Sequence, residues 1–340
     1  EGEGLIVRRV GRGTFVSPHE GRPAAGGGDR VILAYPDFFS YAIWNRVRAI
    51  DARAAAEGLA LSHVLLRPDA DYGALLKRAE NSPNLRGVAL LDGVPFGRPV
   101  LERLDALGVP VAFVGTMEGL ERYRNFRMVN NNHFLAGYQK LSVLARNGHR
   151  AIAMVNNEPP TPAWRENLRG IKAAARDLRL PWRQIAQPAR EQRYWENPME
   201  GGYAQTLLAL RARPETTALL VDTFPGALGA LRALYELGLS CPGQVSIATS
   251  LGMAGQEEYT CPKITTVEED AERIGAIVLD ILQGRAPATL REFKIDTVMR
   301  ERESVRRLDP GEIAGAAASA RALAAPVNET FVAHHHKENP

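Results

Sequence analysis

Short apolar runs alternate with amphipathic stretches along the chain from residue 31 to about residue 300. Continuous apolar runs bounded by turn residues are typical of parallel strands that are covered on both faces. In the first half they predict strands at 31–36, 61–67, 87–93 and 110–115, and a short one near Met128. Apolar positions at helical spacing lie between them, at Ile43-Trp44-Val47-Ile50 and Val100-Leu101-Leu104-Leu107.

The second half repeats this pattern after a predicted helix at 133–146. It predicts strands at 150–156, near 183–188, 218–223, 245–250 and 291–300, with a crossover at 265–267. The helices are expected at 163–178, 200–212 and 225–237, and from Ile274 to Leu282. Such alternation predicts an α/β protein with parallel, doubly wound sheets, and its length divides it into two lobes.

We expect lobe 1 to comprise residues 31–148 with about 268–290, and lobe 2 to comprise 149–267 with about 291–307. Residues 1–17 predict a β-hairpin with a Gly11-Arg12-Gly13 tip, because glycines tolerate the positive φ of tight turns. Residues 18–30 are rich in Pro and Gly and predict a linker. Residues 308–340 predict a surface helix or a disordered tail.

Composition narrows the functional classes. The 340 residues carry a net charge of only +3, so any nucleic-acid contact must come from a local cluster. Arg8, Arg9 and Arg12 flank the hairpin tip and could lie along DNA phosphates. Cys241 and Cys261 form no CxxC pair or disulfide framework, which favours a reducing cytoplasm. No apolar run is long enough to cross a bilayer, so no membrane association is expected.

Motifs for catalysis and cofactor binding are missing from the sequence. It contains no GxxxxGK[ST], GxSxG or HExxH, and the Gly11-Arg12-Gly13 tip lacks the third glycine of a dinucleotide fingerprint. We therefore expect no cofactor, no metal site and no enzymatic activity. An enzyme remains an alternative, with Asp92 and Asp222 as candidate acids, but no nucleophile–base pair accompanies them.

Ligands of parallel α/β sheets bind beyond the carboxyl ends of the strands. Arg150 to Arg169 combines a buried strand, a polar loop and a helix, which places its loop at the cleft between the lobes. The candidate binding residues lie just past strand ends: Asp37, Phe38, Phe39, Ser40, Asp92, Thr116, Asn156, Asn157, Trp164, Arg165, Asn167, Asp222, Phe224, Ser250 and Glu269. Helix capping is the alternative role for such polar residues, above all for Asp37 and Ser40.

Two resemblances to known families extend this interpretation. GLIVRRVGRGTFVS, from Gly4 to Ser17, resembles the wing of the winged-helix DNA-binding domain of GntR-family regulators. Residues 31–305 resemble the effector domains of LacI/GalR repressors, which share the periplasmic-binding-protein-like (type I) fold. The matching stretches, in order, are Asn147-Gly148-His149-Arg150, Ala227-Leu228-Gly229-Ala230-Leu231, Pro242 to Ile247, Ile264-Thr265-Thr266-Val267 and Arg300-Glu301-Arg302-Glu303-Ser304.

This combination is the architecture of arabinose-responsive repressors, and it implies a homodimeric transcriptional regulator that binds DNA as the full-length protein. Its effector would be a small molecule, a sugar or sugar derivative, that acts by closing the lobes. The chain departs from the LacI/GalR pattern at Asn167, Thr223-Phe224 and Leu251, where the family commonly carries Arg, Asn-Asp and an acid. These departures predict a less polar and more aromatic cleft. A solute-binding protein of a transport system, with the same fold, is the alternative function.

Overall fold

The computed structural model describes residues 6–9, 13–16, 30–37, 40–67, 72–92, 96–185, 196–250, 255–309 and 311. The strands are β1 Ile6–Arg9, β2 Gly13–Val16, β3 Arg30–Pro36, β4 Ala60–Leu66, β5 Leu85–Leu91, β6 Val111–Val114, β7 Phe126–Asn131, β8 Ile152–Val155, β9 Ala218–Val221, β10 Ser246–Ser250, β11 Thr265–Glu268, β12 Glu292–Ile295 and β13 Val298–Arg300. The helices are α1 Tyr41–Ala56, α2 Gly73–Glu80, α3 Arg98–Ala106, α4 His133–Arg146, α5 Pro162–Asp177, α6 Trp182–Ile185, α7 Pro198–Ala212, α8 Phe224–Glu236 and α9 Ala271–Leu282. Within these ranges no helix is both long and apolar enough to span a lipid bilayer.

The first sheet has six strands in the order β12-β7-β6-β5-β3-β4, and all its pairs are parallel. Apolar side chains cover both faces. On one face α1 and α9 pack through residues such as Ile50 and Val278, and on the other α2 and α3 pack through Leu75 and Leu104. Covering both faces explains why the strands are continuously apolar rather than alternating.

The second sheet has five strands in the order β13-β11-β10-β9-β8. Its pairs are parallel except β11 with β13, which is antiparallel. Leu144 of α4 and Ile171 of α5 belong to the core on one face, and Leu210 of α7 and Leu234 of α8 to the core on the other. The structure therefore confirms the predicted two-lobed α/β fold with parallel sheets covered on both faces.

The chain passes from one lobe to the other three times: between β7 and α4, between β11 and α9, and between β12 and β13. Two of these passages are tied together. The Asn132 backbone N–H donates to the Ile295 carbonyl at 2.7 Å, and its side-chain amide donates to the Asp296 carboxylate at 2.8 Å. The carboxyl ends of both sheets meet beside these passages.

Two elements lie in a different lobe from the one expected. Helix α4 has the predicted bounds but packs on the second sheet, because Leu141 and Leu144 enter the core that α5 completes. The predicted strand 291–300 is two strands, of which β12 joins the first sheet and β13 the second. The backbone changes sheets between them, at Asp296 and Thr297.

Other differences are local. Helix α2 was not predicted, because its three buried residues, Leu75, Leu76 and Ala79, give a short apolar stripe. The expected strand near 183–188 begins with the short helix α6, and residues 186–195 lie outside the described ranges. Strands β1 and β2 pair antiparallel, from Ile6 with Val16 to Arg9 with Gly13, as a hairpin requires. The tip at 10–12, the linker at 17–29, and residues 310 and 312–340 also lie outside the described ranges.

Candidate functional site between the two lobes

A cavity lies where the carboxyl ends of the two sheets meet, next to the three passages. Its empty space, including the open mouth, is about 570 Å³. Most of its wall comes from lobe 2 and from the passages. The lining residues are Asn131, His133, Ala136, Glu158, Thr161, Ala163, Trp164, Asn167, Asp222, Thr223, Ser250, Val267, Glu268, Glu269 and Thr297.

A buried ion pair forms the floor of the cavity. The Lys140 ammonium lies 3.6 Å from the Asp222 carboxylate, and the two side chains are 1% and 5% exposed. Burial raises the pKa of Asp222 and lowers the pKa of Lys140, and the contact between the two groups opposes both shifts. The Trp164 indole N–H donates to the second Asp222 oxygen at 3.1 Å. Strand β9 and helices α4 and α5 thus hold one carboxylate at a fixed position.

Helices α4 and α5 approach each other at two glycines. A Cβ atom on Gly170 would lie 1.9 Å from the Phe134 carbonyl oxygen, and one on Gly137 would lie 2.0 Å from the Asn167 carbonyl oxygen. Only glycine permits two backbones to come this close. The approach lets the Asn167 amide donate to the His133 carbonyl at 3.3 Å. His133 and Asn167 therefore form one wall of the cavity.

The loop after β8 contributes Glu158 and its supports. The Asn157 amide donates to the Thr223 hydroxyl at 2.6 Å, and the Thr223 backbone N–H donates back to Asn157 at 3.3 Å. Glu158 in turn hydrogen-bonds Thr223. Burial, reinforced by the negative charge of Asp222, raises the pKa of Glu158 to about 8. The Glu158 carboxyl group is therefore mostly protonated at neutral pH.

Glu269 lies at the passage from β11 to α9 and is held by Arg46. The guanidinium donates to both carboxylate oxygens, with its shortest contact at 2.6 Å. The Asn131 amide also donates to Glu269, at 2.5 Å. Because a carboxylate only accepts, this contact fixes which side-chain atom of Asn131 is nitrogen. Its Oδ1 is left as a buried oxygen that accepts no hydrogen bond from the described residues.

Ser250, at the end of β10, carries a second buried oxygen of this kind. Its side chain lines the cavity, the residue is 5% exposed, and its hydroxyl has no hydrogen-bond partner among the described residues. Such groups are rare, because a buried polar atom without a partner costs about 1–3 kcal/mol. A bound ligand could therefore form hydrogen bonds with two lining atoms that lack a partner among the described residues, Asn131 Oδ1 and Ser250 Oγ.

His133 is the cavity's imidazole. Burial, assisted by the positive charges of Arg46, Lys140 and Lys294, lowers its pKa to about 3, so the ring is neutral at neutral pH. No cluster of three or more His, Cys, Asp or Glu side chains with metal-binding geometry occurs in the part of the chain that the structure describes.

The structure brings together five of the residues predicted from strand ends. Trp164, Asn167, Asp222, Ser250 and Glu269 all line the cavity. Their elements lie far apart in sequence and meet because parallel strands end at the same edge of a sheet.

None of the remaining predicted residues that the structure describes lines the cavity. Asp37 accepts from the exposed Arg67 at 3.2 Å, and Ser40 caps α1 by accepting from the Ile43 N–H at 3.4 Å. Phe38 and Phe39 lie outside the described residues. Asp92 accepts from the Thr116 N–H at 3.4 Å, and neither side chain lines the cavity.

Three lobe 2 candidates have supporting positions, and a fourth lies in the core. Asn157 supports Thr223, and Asn156 accepts from the Glu158 N–H at 3.2 Å. Arg165 forms an exposed ion pair with Glu118 of lobe 1 at 2.7 Å. Phe224 is 1% exposed and packs among the apolar residues between α8 and the second sheet. Trp164 is accordingly the only Phe, Tyr or Trp side chain in the described lining, so the cleft is less aromatic than predicted.

Sequence reasoning missed several lining residues: Asn131, His133, Glu158, Thr161, Thr223 and Thr297. Asn131 could have been found, because it ends β7 just as Ser250 ends β10. Lys140 gave no signal, because a lysine in the middle of a helix usually faces solvent.

Comparisons with known proteins agree with this geometry. A family profile described as "Periplasmic binding protein-like domain" matches residues 141–305. The structure of a LacI family transcriptional regulator from Enterococcus faecium with bound ribose aligns with a TM-score of 0.68. The alignment covers 83% of this chain and 100% of that chain, at 21% identity. The chain has the type I periplasmic-binding-protein-like fold.

Two further proteins are similar to this periplasmic-binding-protein-like chain. The Lac repressor dimer bound to operator and the anti-inducer ONPF aligns with a TM-score of 0.66, over 83% of this chain and 96% of that chain, at 20% identity. The HTH-type transcriptional repressor PurR of Actinobacillus pleuropneumoniae serotype 3 (strain JL03) is 28% identical over 179 residues. That match covers 52% of this chain, and the chain spans about half the length (51%) of this curated relative.

Proposed function

We propose that the chain is the effector-binding part of a transcriptional repressor, and that a small hydroxylated molecule binds in the cavity between the lobes. The observation that carries the proposal is the pair of buried oxygens without partners, Asn131 Oδ1 and Ser250 Oγ, at the meeting point of the two sheets. Because both atoms line the same cavity, one bound molecule could hydrogen-bond with both of them.

The mechanism follows from the three passages. Asn131 and Glu269 lie at two of them, whereas Asp222 and Ser250 belong to lobe 2. A ligand that hydrogen-bonds residues of both groups contacts lobe 2 and the passages between the lobes at the same time. It therefore favours the lobe orientation in which all these contacts form, by as much as its affinity differs between the two orientations.

The regulatory role draws on the relatives. The PurR relative is a repressor by its name, and the Lac repressor structure is a dimer on its operator. We infer that this protein also acts as a homodimer, in the cytoplasm, and that lobe movement changes the spacing of two DNA-binding heads. We propose further that the hairpin of β1 and β2 is the wing of a GntR-type winged helix, and that Arg8, Arg9 and Arg12 contact DNA phosphates. The support is the antiparallel pairing around a basic tip.

A ligand screen tests the cavity. The thermal midpoint of this chain is measured with sugars, sugar phosphates and nucleosides, because a ligand that binds the native state raises it by mass action. We expect at least one compound to raise the midpoint, and expect Asn167→Ala and Trp164→Ala to remove that response relative to each variant's own midpoint. Glu166→Gln is the matched control, since Glu166 lies on the same helix but pairs with Arg169 away from the cavity. An unchanged response in both cavity variants would refute the proposed site.

A gel-shift titration of the full-length protein tests the regulatory role. We expect a specific, pseudo-palindromic operator whose affinity falls as salt rises and changes when the compound found in the screen is added. Replacing Arg8 and Arg9 with alanine should weaken binding to all sequences and reduce the salt dependence, because phosphate contacts carry no sequence information. Binding that shows no sequence preference would contradict the repressor proposal.

A further inference from the structure

The cavity lining is rich in carboxyl groups. Glu158, Asp222, Glu268 and Glu269 all line it, and none of the described lining residues is Lys or Arg. A phosphate or carboxylate on the ligand would therefore approach acids without meeting a facing cation. The chemistry of the lining disfavours an anionic ligand.

Three of these acids are already neutralised from behind the wall. Lys140 lies 3.6 Å from Asp222, and Arg46 contacts Glu269 at 2.6 Å. Arg302 contacts Glu268 at 2.5 Å. None of these three basic side chains lines the cavity. These carboxylates can accept hydrogen bonds from a ligand without requiring a positive charge from it.

Glu158 is different. It has no ion pair with any residue that the structure describes, and its neighbour Lys140 contacts Asp222 instead. The charged and titratable groups around it are Asp222 on the loop after β9, Lys140 and His133 on α4, and Glu268 and Glu269 at the end of β11. Desolvation and the negative charge of Asp222 raise the pKa of this half-buried acid to about 8.

The two unpartnered lining atoms also favour a ligand that carries hydrogen-bond donors. Asn131 is 3% exposed and Ser250 is 5% exposed, and both line the cavity. Asn131 Oδ1 can only accept a hydrogen bond, whereas the Ser250 hydroxyl can donate or accept. The ligand must therefore supply N–H or O–H donors. A hydroxylated ring supplies them, and an ammonium group supplies up to three at one position.

We propose that the cavity selects a hydroxylated ligand that carries a protonated amine, such as an amino sugar, and that its ammonium group pairs with Glu158. The inference rests on the proposed function, because it specifies the ligand class of the same site. When the cation enters, Glu158 gives up its proton to solvent, so the net charge inside the cavity is unchanged. The Trp164 ring, which also lines the cavity, offers an aromatic surface for the apolar face of such a ring.

Isothermal titration calorimetry on this chain at about pH 6.5 tests the inference. The probes are glucosamine, galactosamine and 6-amino-6-deoxyglucose, their parent hexoses, N-acetylglucosamine, and glucose 6-phosphate. We expect at least one amine to bind about tenfold or more tightly than its parent hexose, as an additional charge-assisted hydrogen bond provides. The phosphate ester should bind more weakly than glucose.

Glu158→Gln supplies the decisive comparison, because it keeps the shape of the side chain and removes its ability to lose a proton and become negatively charged. The variant should reduce the preference for the amine to about twofold or less while still binding the parent hexose. Titration in buffers of different ionisation enthalpy should show release of about one proton per amine bound by the wild type. That release should vanish in Glu158→Gln and persist in the control Glu166→Gln.

The outcomes separate this inference from the proposed function. A neutral hexose that binds as tightly as its amine, with Asn167→Ala weakening it and Glu158→Gln leaving it unchanged, overturns the amine inference and leaves the effector cavity standing. Tighter binding of glucose 6-phosphate than of glucose also overturns the inference. If no probe of any kind binds, the amine inference fails, and the proposed sugar-type cavity fails with it.

Discussion

At the carboxyl end of β9, Asp222 is buried, and the Lys140 ammonium lies behind it at 3.6 Å. At the carboxyl end of β3, Asp37 extends into solvent, and its partner Arg67 is a neighbour on the surface. Both aspartates follow apolar strands of parallel sheets, and sequence reasoning placed both in the cleft. The difference lies in the neighbouring helix. In lobe 2, the buried Lys140 of α4 lies next to the end of β9. In lobe 1, the residue directly before α1 is Ser40, which caps the first turn of α1 and supplies no positive charge.

The comparison shows that a strand end becomes a binding position when a second element supplies the counter-charge from behind. Glu269 follows the same rule at the passages, with Arg46 of α1 as its support. Burying a carboxylate is otherwise too costly, so an acid without such support either remains at the surface, as Asp37 does, or is protonated, as Glu158 is.

Removing the support of Asp222 should have the largest effect. Lys140→Met leaves a buried carboxylate without its counter-charge, and we expect a loss of about 3–5 kcal/mol in the free energy of unfolding. Urea denaturation measures it. The double variant Lys140→Met/Asp222→Asn should recover most of the loss, because it removes both charges. A loss below about 1 kcal/mol in the single variant would contradict the counter-charge explanation.

The second prediction concerns His149, which is fully buried and joins the start of lobe 2 to the chain's last described segment. Its Nδ1 lies 3.0 Å from the Thr217 hydroxyl and its Nε2 lies 3.1 Å from the Arg306 carbonyl oxygen. Burial lowers its pKa to about 4, from an ordinary value of 6.5. Below about pH 6.5 the unfolded chain therefore takes up a proton that the folded chain refuses.

His149 should thus stabilise the fold fully above about pH 6.5 and progressively less as the pH falls toward 4. Between pH 6.5 and pH 5 we expect its contribution to fall by about 2 kcal/mol at most. Urea denaturation at both pH values, for the wild type and His149→Asn, isolates this contribution. Equal pH dependence in the two proteins would show that His149 is not the group responsible.

Ser250→Ala should have a smaller effect, and of a different kind. Its hydroxyl is buried and has no partner among the described residues, so its removal should raise the free energy of unfolding, by about 1 kcal/mol. It should nevertheless weaken the ligand found in the screen by about 1 kcal/mol, or roughly fivefold. Thr249→Ala is a useful control, because Thr249 also carries a buried unpartnered hydroxyl but does not line the cavity. Equal ligand affinity in the wild type and Ser250→Ala would remove Ser250 from the site.

The exposed ion pair between Arg165 and Glu118 should contribute least. It joins the two lobes at 2.7 Å, but both side chains are more than half exposed, and such pairs stabilise by about 0–1 kcal/mol. A double-mutant cycle with Arg165→Ala and Glu118→Ala, measured at low and high salt, should give a small coupling that salt removes. A coupling above about 2 kcal/mol would contradict the weak contribution expected of an exposed pair.

The alternation of strands and helices could be predicted because each buried parallel strand leaves its own apolar run. It could not be predicted to which lobe each element belongs, and α4 is an example. Its apolar stripe would suit either sheet, and the sequence does not show that Leu141 and Leu144 enter the core of lobe 2 or that Gly137 contacts the backbone of α5. The two short strands at 292–300 raise the same difficulty, because an apolar pattern does not reveal that the backbone changes sheets at Asp296.

Some lining residues could be predicted because they directly follow a strand, as Asp222 and Glu269 do. Residues of the site could not be predicted where they lie inside a Pro-broken loop, as Glu158 does, or in the middle of a helix, as Lys140 does. The prediction that Phe224 lines the cavity was wrong. Phe224 follows β9 closely, but α8 begins there and turns the ring into the core.

The threefold passage of the chain between lobes also constrains how the molecule is made. The first sheet needs β12 at its edge, and its core needs Ile274 and Val278 of α9, yet these residues are translated after almost the whole of lobe 2. A ribosome-bound chain that has emerged only as far as residue 150 therefore lacks part of the packing of its first-synthesised half. Lobe 2 also waits for β13, so neither half reaches its final form before residues 292–300 have been synthesised, and no single cut yields either half intact.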